Sequence, residues 1–177
     1  MILSSASLTL VGVGPGDPSL LTLSAVEAIE SATVISYPVA KSEAASMAIK
    51  IASAWISEKQ RRLPLLFPMV LDGVSLKKAW RQASDQLAEV VANGEKVVFL
   101  CQGDVSLFST SSYLLLALKA NHPDCLVKLV PGVTAFSAAA AVGAWPLCLQ
   151  QDQLLVLPTP EDSKSLEILL DEAAGSR

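Results

Sequence analysis

The sequence is poor in charge and holds one histidine and three cysteines among 177 residues. Each scarcity excludes a class of chemistry. Charged residues make up 17% of the chain, the net charge is -4, and no block of lysine or arginine occurs, so there is no electrostatic footprint for nucleic acid. Lys59, Arg61 and Arg62 form only a loose local group, read as a solvated surface turn. Cys101, Cys125 and Cys148 are odd in number, far apart and without a CxxC pair. That pattern predicts neither a zinc site nor a redox motif, and the three read as buried free thiols in a reducing cytosol. The one histidine, His122, lies in the turn-like "NHPD" and reads as a surface loop residue, so no metal site is expected. No G-x-x-x-x-G-K-[ST] run occurs, which excludes a P-loop. The first residues lack a basic segment followed by a small-residue cleavage site, so no signal peptide is expected. Residues Leu129 to Gln151 carry no charge and are long enough to span a bilayer. Pro131, Gly132, Gly143 and Pro146 interrupt the stretch and its centre is mostly alanine, so it reads as a strand, a turn and a buried helix of a soluble, cytoplasmic protein.

What the chain has is apolar side chains, 51% of the total, enough to build a substantial core and too many for disorder. Strands are predicted at Leu8–Val13, Thr33–Tyr37, Lys96–Cys101, Val127–Val130 and Leu154–Leu157. The run Val97-Val98-Phe99-Leu100-Cys101 is apolar on both faces, the mark of a strand in a parallel sheet covered on both sides. Helical periodicity fills the intervals, after Thr22, through Ala44 to Trp55, from Ser75 to an Asn93-Gly94 stop, from Ser109 and from Thr134. Alternation of this kind predicts an α/β fold with a largely parallel sheet. The stretch 147–153 reads as a boundary, followed by one strand and one helix from Ser163 to Ala173.

Ligands of open parallel sheets gather at the carboxyl ends of the strands, so four loops stand out. The first, Gly12 to Asp17, is spaced G-x-G-x-G rather than G-x-G-x-x-G, and Pro15 removes an amide donor. It is poorly built to hold a dinucleotide pyrophosphate, and a tight turn explains it equally well. The second is Ser36 to Ala40. The third follows a buried strand with Gly103 and Asp104; the carboxylate there either orients a cationic ligand or caps the next helix. Ser106, Ser109, Thr110 and Ser111 offer hydroxyls at the same edge. The fourth puts Gly132 and Thr134 before a helix of small residues, Ala138 to Ala141, which admits close packing of either a backbone or a flat ligand.

In their order along the chain these loops resemble the tetrapyrrole (corrin/porphyrin) methylase family. "VGVGPGD", the Tyr37-Pro38 pair, the Gly103-Asp104 loop and "PGVT" before a small-residue helix are the matching motifs. "VGVGPGDPSLLTLSAVEAI", "ISYPVA", "LLFPM" and "LCQGDVSLFST" are similar to the branch that methylates C20 of precorrin-2 to give precorrin-3A in cobalamin biosynthesis. The resemblance implies S-adenosylmethionine as methyl donor, a tetrapyrrole substrate (precorrin-2 or its cobalt form), a homodimer and no nucleic acid or membrane partner. By position it implies donor contacts at Pro15, Gly103, Asp104, Val105, Phe108, Thr134 and Ala135, and substrate contacts at Asp17, Tyr37 and Pro38. For Asp17 a turn or cap role stands beside the substrate role. No residue is assigned as the base for the departing C20 proton. Gln102 and Leu107 depart from the family pattern, which has an acid and an aromatic there. Family members carry a complete second α/β domain. The expected organisation is therefore an N-terminal domain over 1–149 and the start of an incomplete second domain over 150–177. Methylation of another ring carbon, or a partial and inactive chain, are the alternative expectations.

Overall fold

The computed structural model describes residues 7–40, 46–68, 72–160 and 162–175. The chain divides into two compact units, Met1–Ala144 and Trp145–Arg177. In the first, five strands form one sheet: β1 (Ser7–Gly12), β2 (Val34–Val39), β3 (Arg61–Leu66), β4 (Lys96–Cys101) and β5 (Val127–Val130). Their order is β3-β2-β4-β1-β5 and every pairing is parallel. The helices between them are α1 (Leu23–Ser31), α2 (Met47–Ala52), α3 (Gly73–Ala92) and α4 (Thr110–Asn121), with α5 (Ala135–Val142) after β5.

The period-two alternation of the strands builds a core on each face of the sheet. Leu8, Leu10, Val34, Val97, Phe99 and Cys101 pack with Ala83 and Leu87 of α3 and with Leu114 and Leu118 of α4. Val11, Val13, Ile35, Val98, Leu100 and Val130 pack with Ala25 and Ile29 of α1 and with Ala48 and Ile51 of α2. Helices α3 and α4 are pinned to each other by Trp80 stacked on Tyr113, ring centroids 4.4 Å apart and planes 4° from parallel.

These two cores decide where a ligand can enter. The chain leaves β1 for α1 on one face, and leaves the adjacent β4 for α4 on the opposite face. Neighbouring strands whose following helices diverge in this way leave a crevice between their carboxyl ends. Pro38 widens it. It has no N–H to give to a ladder, and pairing between β2 and β4 ends at Ser36 opposite Phe99, although β2 continues against β3 to Val39.

The parallel α/β architecture is the one expected from the sequence, and four expectations are corrected. The helix of the uncharged stretch 129–151, α5, is not a buried one, since none of its residues is buried. Arg61 and Arg62 lie in β3, not in a turn. The strand is at the edge of the sheet, which tolerates both the exposed arginines and Pro64. Leu154–Leu157 is not a strand, because residues 152–160 have no regular structure and no pairing partner among the described residues. The cysteines are not uniformly buried: Cys101 is, Cys125 is half-buried and Cys148 is exposed. Ala44, placed at the start of the second helix, lies outside the described residues. His122 is a surface residue, as expected, with Nε2 2.7 Å from Asp85 Oδ1. The second unit contains α6 (Ser163–Gly175). No helix among the described residues is long and apolar enough to cross a membrane.

The end of α1 is held by one buried side chain. Gln60 Nε2 donates to Ile29 O at 2.6 Å and to Ala32 O at 2.8 Å, while its Oε1 accepts from Ser57 N at 2.8 Å. Gln60→Ala strands the carbonyl of Ala32 and leaves that of Ile29 with only the 3.3 Å bond from Ala32 N. Urea unfolding should show a loss of about 2 kcal/mol or more, the cost of buried polar groups left without partners.

Candidate functional site

At the carboxyl edge three loops meet on four glycines, Gly12, Gly14, Gly103 and Gly132. Gly14 and Gly103 form an antiparallel bridge, with Gly103 N donating to Gly14 O at 2.7 Å and Gly14 N donating to Gly103 O at 3.2 Å. Both have positive φ, 77° and 71°, which side-chain-bearing residues rarely adopt. Gly132 lies against the same bridge. A Cβ on it would sit 2.1 Å from Gly103 O and 2.8 Å from Gly12 C, and a Cβ on Gly12 would sit 2.6 Å from Gly103 O. The strand ends therefore approach as bare backbone.

Around this junction opens a cleft of 410 Å³, lined by Pro15, Pro38, Cys101, Gln102, Phe108, Ser109, Thr110 and Ala135. Its size is that of a small-molecule site, with apolar walls and a few polar groups. The walls come from the ends of β1, β2 and β4 and from the start of α5, so residues over a hundred positions apart share one surface. Phe108 is its most unusual member. Its ring is 66% exposed and its backbone is held at φ 46°, a strained conformation of the kind that clusters at ligand sites. Gln102 Nε2 donates to Pro15 O at 3.2 Å and so links the first loop to the third.

Of the residues singled out in the sequence, the cleft gathers Pro15, Pro38, Phe108 and Ala135. The others are near it in sequence but occupied elsewhere. Val105 is buried in the core, and its carbonyl accepts from Ser111 Oγ at 2.7 Å and Ser112 Oγ at 3.1 Å. Thr134 caps α5, accepting from Ser137 N. Asp17 caps the short turn at Pro18–Leu20, accepting from Ser19 N at 2.8 Å. Tyr37 packs against the core on the α1 and α2 side. Gly103 is held in the bridge. Asp104 does not cap the next helix, a role taken by Ser109. Cys101, Gln102, Ser109 and Thr110 join the lining without having been assigned to it. The hydroxyl cluster and the Gln102 departure were the only hints of them in the sequence.

Asp104 is the charged group closest to this junction along the chain. Its Oδ1 accepts from Ser106 N at 2.8 Å and Ser106 Oγ at 2.5 Å, and its Oδ2 accepts from Gly132 N at 3.0 Å. Partial burial pushes its carboxyl up. The Ser106 hydroxyl and the amides of Ser106, Gly132 and Val105 outweigh burial and hold it below the ordinary carboxylate value. Burial pushes the Cys101 thiol up, against hydrogen bonds from Ser111 and Ser109, so it stays a neutral wall residue.

The sequence model for Tetrapyrrole (Corrin/Porphyrin) Methylases matches residues 7–175. The chain belongs to this family. The four-loop resemblance thus pointed to the right family. Among curated relatives, the probable cobalt-precorrin-2 C(20)-methyltransferase of Methanocaldococcus jannaschii is 36% identical over 162 residues, 92% of this chain and 66% of that protein. The cobalt-precorrin-2 C(20)-methyltransferase of Salmonella typhimurium is 30% identical, over 92% of this chain and 69% of its own length. The crystal structure of the methyltransferase CobJ superposes with a TM-score of 0.64 at 27% identity, covering 96% of this chain and 64% of that one. The chain therefore spans about two thirds of the length of these family members.

Two measurements test the junction. Gly132→Ala and Gly12→Ala force backbone apart and should each cost about 3 kcal/mol or more, the upper end of overpacking effects. Gly103→Ala meets open space and should cost only about 1–2 kcal/mol, the strain of a left-handed L-residue. Chemical denaturation that ranks Gly103→Ala as the most damaging would refute the steric account. The Asp104 carboxyl titrates lower in the folded state than its ordinary 3.8, so its contribution to stability is complete above that value and is lost as pH falls through the folded one. Melting temperatures of wild type and Asp104→Asn should therefore differ at neutral pH and converge in acid. A gap that persists at the lowest pH would refute this linkage.

Proposed function

We propose that the chain carries the donor-side cleft of an S-adenosylmethionine-dependent methyltransferase that acts at C20 of precorrin-2 or its cobalt form in cobalamin biosynthesis. The observation that carries the reading is the cleft at the β1/β4 crevice of a chain whose relatives bear the C(20)-methyltransferase name. Both of those relatives are named for the cobalt form of the substrate. The proposal extends to the cytoplasmic location and the homodimer expected from the family resemblance.

The residues of the cleft fit such a donor. Pro15, Pro38, Phe108 and Ala135 give apolar faces against which an adenosine can lie, and Gln102, Ser109 and Thr110 give polar groups at its margin. Gly103 has no atom within 4 Å of where a side chain would begin, so its backbone can be approached closely. S-adenosylmethionine supplies an already activated methyl group on a sulfonium. The protein then has no nucleophile to provide, and its contribution is alignment and exclusion of water. Donor contacts are assigned to Pro15, Gly103, Phe108 and Ala135, and a substrate contact to Pro38. Val105, Thr134, Asp17 and Tyr37 support the site from their places in the core and caps.

Titration calorimetry with S-adenosylhomocysteine should show saturable binding to this chain, and no binding by a chain with an intact circular dichroism spectrum would sink the reading. Turnover is then assayed with precorrin-2 and cobalt-precorrin-2 separately, the methylated position being read by carbon-13 NMR. A methyl group on another ring carbon would move the chain to a different branch of the family. Binding without turnover would restrict its role to holding the donor.

A further inference from the structure

Asp104 is placed between two walls of the cleft without belonging to either. On one side, Oδ1 closes a tight turn onto Ser106, which fixes the run leading to Phe108, Ser109 and Thr110. On the other, Oδ2 takes the amide of Gly132, which begins the loop leading to Thr134 and Ala135. Gly132 is also the residue wedged against Gly12 and Gly103, so its position leaves little freedom. Its amide is partly buried and lies two residues beyond the end of β5, after Pro131, where the sheet ladder no longer supplies an acceptor. The carboxylate offers two oxygens and satisfies three donors from two loops. A neutral side chain has no equivalent arrangement, because an amide offers one acceptor oxygen and turns its NH2 toward a second donor.

We propose that Asp104 is a positioning residue: it sets the spacing of the Phe108 and Ala135 walls by tying Ser106 to Gly132, and does not act by presenting its charge to the bound donor. The proposal rests on the donor reading above. It separates two roles that the residue type alone leaves equivalent. A charge acting on the donor discriminates the cationic sulfonium of S-adenosylmethionine from the neutral thioether of S-adenosylhomocysteine. A strut between two walls affects both ligands alike.

Affinities of S-adenosylmethionine and S-adenosylhomocysteine are measured by calorimetry for wild type, Asp104→Ala and Asp104→Asn. Exchange of the Gly132 amide proton is followed by NMR without ligand. Asp104→Ala should weaken both ligands by the same factor, about tenfold or more, as expected for loss of a charge-assisted hydrogen bond. Asp104→Asn should recover part of the affinity for both in equal proportion, and Gly132 should exchange faster in Asp104→Ala. A selective loss of S-adenosylmethionine affinity in Asp104→Asn, with S-adenosylhomocysteine unchanged, would overturn the proposal in favour of a charge effect. Unchanged Gly132 exchange in Asp104→Ala would overturn it as well. If Asp104→Ala does not fold, Asp104→Asn carries the same readouts. Wild type that binds neither ligand defeats the donor reading alone, and Gly132 exchange then still decides whether the tie exists.

Discussion

The contact on which the site depends is a meeting of three backbones. Gly12, Gly103 and Gly132 end or follow three adjacent strands, and they approach so closely that a methyl group on Gly12 or Gly132 has nowhere to go. The close approach brings Gly14 and Gly103 into hydrogen-bonding register and lets one carboxylate reach from the β4 loop to the β5 loop. Apart from Pro38 of β2, the residues that line the cleft lie at or follow these strand ends. In the opening motif Gly12 is required by the backbone that passes beside it and Gly14 by its positive φ, without any need for a phosphate to be wrapped.

The loops divide their labour in a way that their composition conceals. Most of the polar groups that look functional in the sequence are spent on holding the loops: Asp17 and Thr134 cap, Ser106 closes a turn, and Ser111 and Ser112 saturate the Val105 carbonyl. The surface left for a ligand is shared between apolar faces of two prolines, an alanine and a phenylalanine and the polar groups of Gln102, Ser109 and Thr110, with the Cys101 thiol. Such a surface suits a ligand that brings its own reactivity. A sulfonium methyl donor is of that kind, and alignment is then the main service required. Phe108, the cleft residue held at positive φ, is also the one that presents a large aromatic ring to solvent there. Structure that spends strain on keeping an apolar ring exposed is under a constraint other than stability.

Legibility varied with how locally each feature is determined. Strand β4 could be read because its five apolar residues admit no solvent-facing side, and α3 because its apolar stripe recurs over five turns up to a clear stop at Asn93-Gly94. Strand β3 could not. Arginine and proline are tolerated in it only because it lies at an edge, and edge position is a property of the sheet. Leu154–Leu157 is the converse case, a strand-like run that pairs with nothing among the described residues, since strand propensity expresses itself only against a partner. The family was legible because four loops recur in a fixed order, a pattern that survives without knowledge of their contacts.

The sequence by itself determined the parallel α/β class, the family and the loops that surround the site. These rest on periodicity, turn chemistry and motif order, all of which are local or ordinal. Only the tertiary structure decided which residue of each loop faces the cleft. Pro15, Pro38, Phe108 and Ala135 come together there, while Val105, Thr134, Asp17 and Tyr37 turn to the core or to a cap. The reason is geometric. Which way a side chain points at a strand end depends on where the sheet ladder stops and on how closely the neighbouring backbones pass, and both are set by residues far away in the chain.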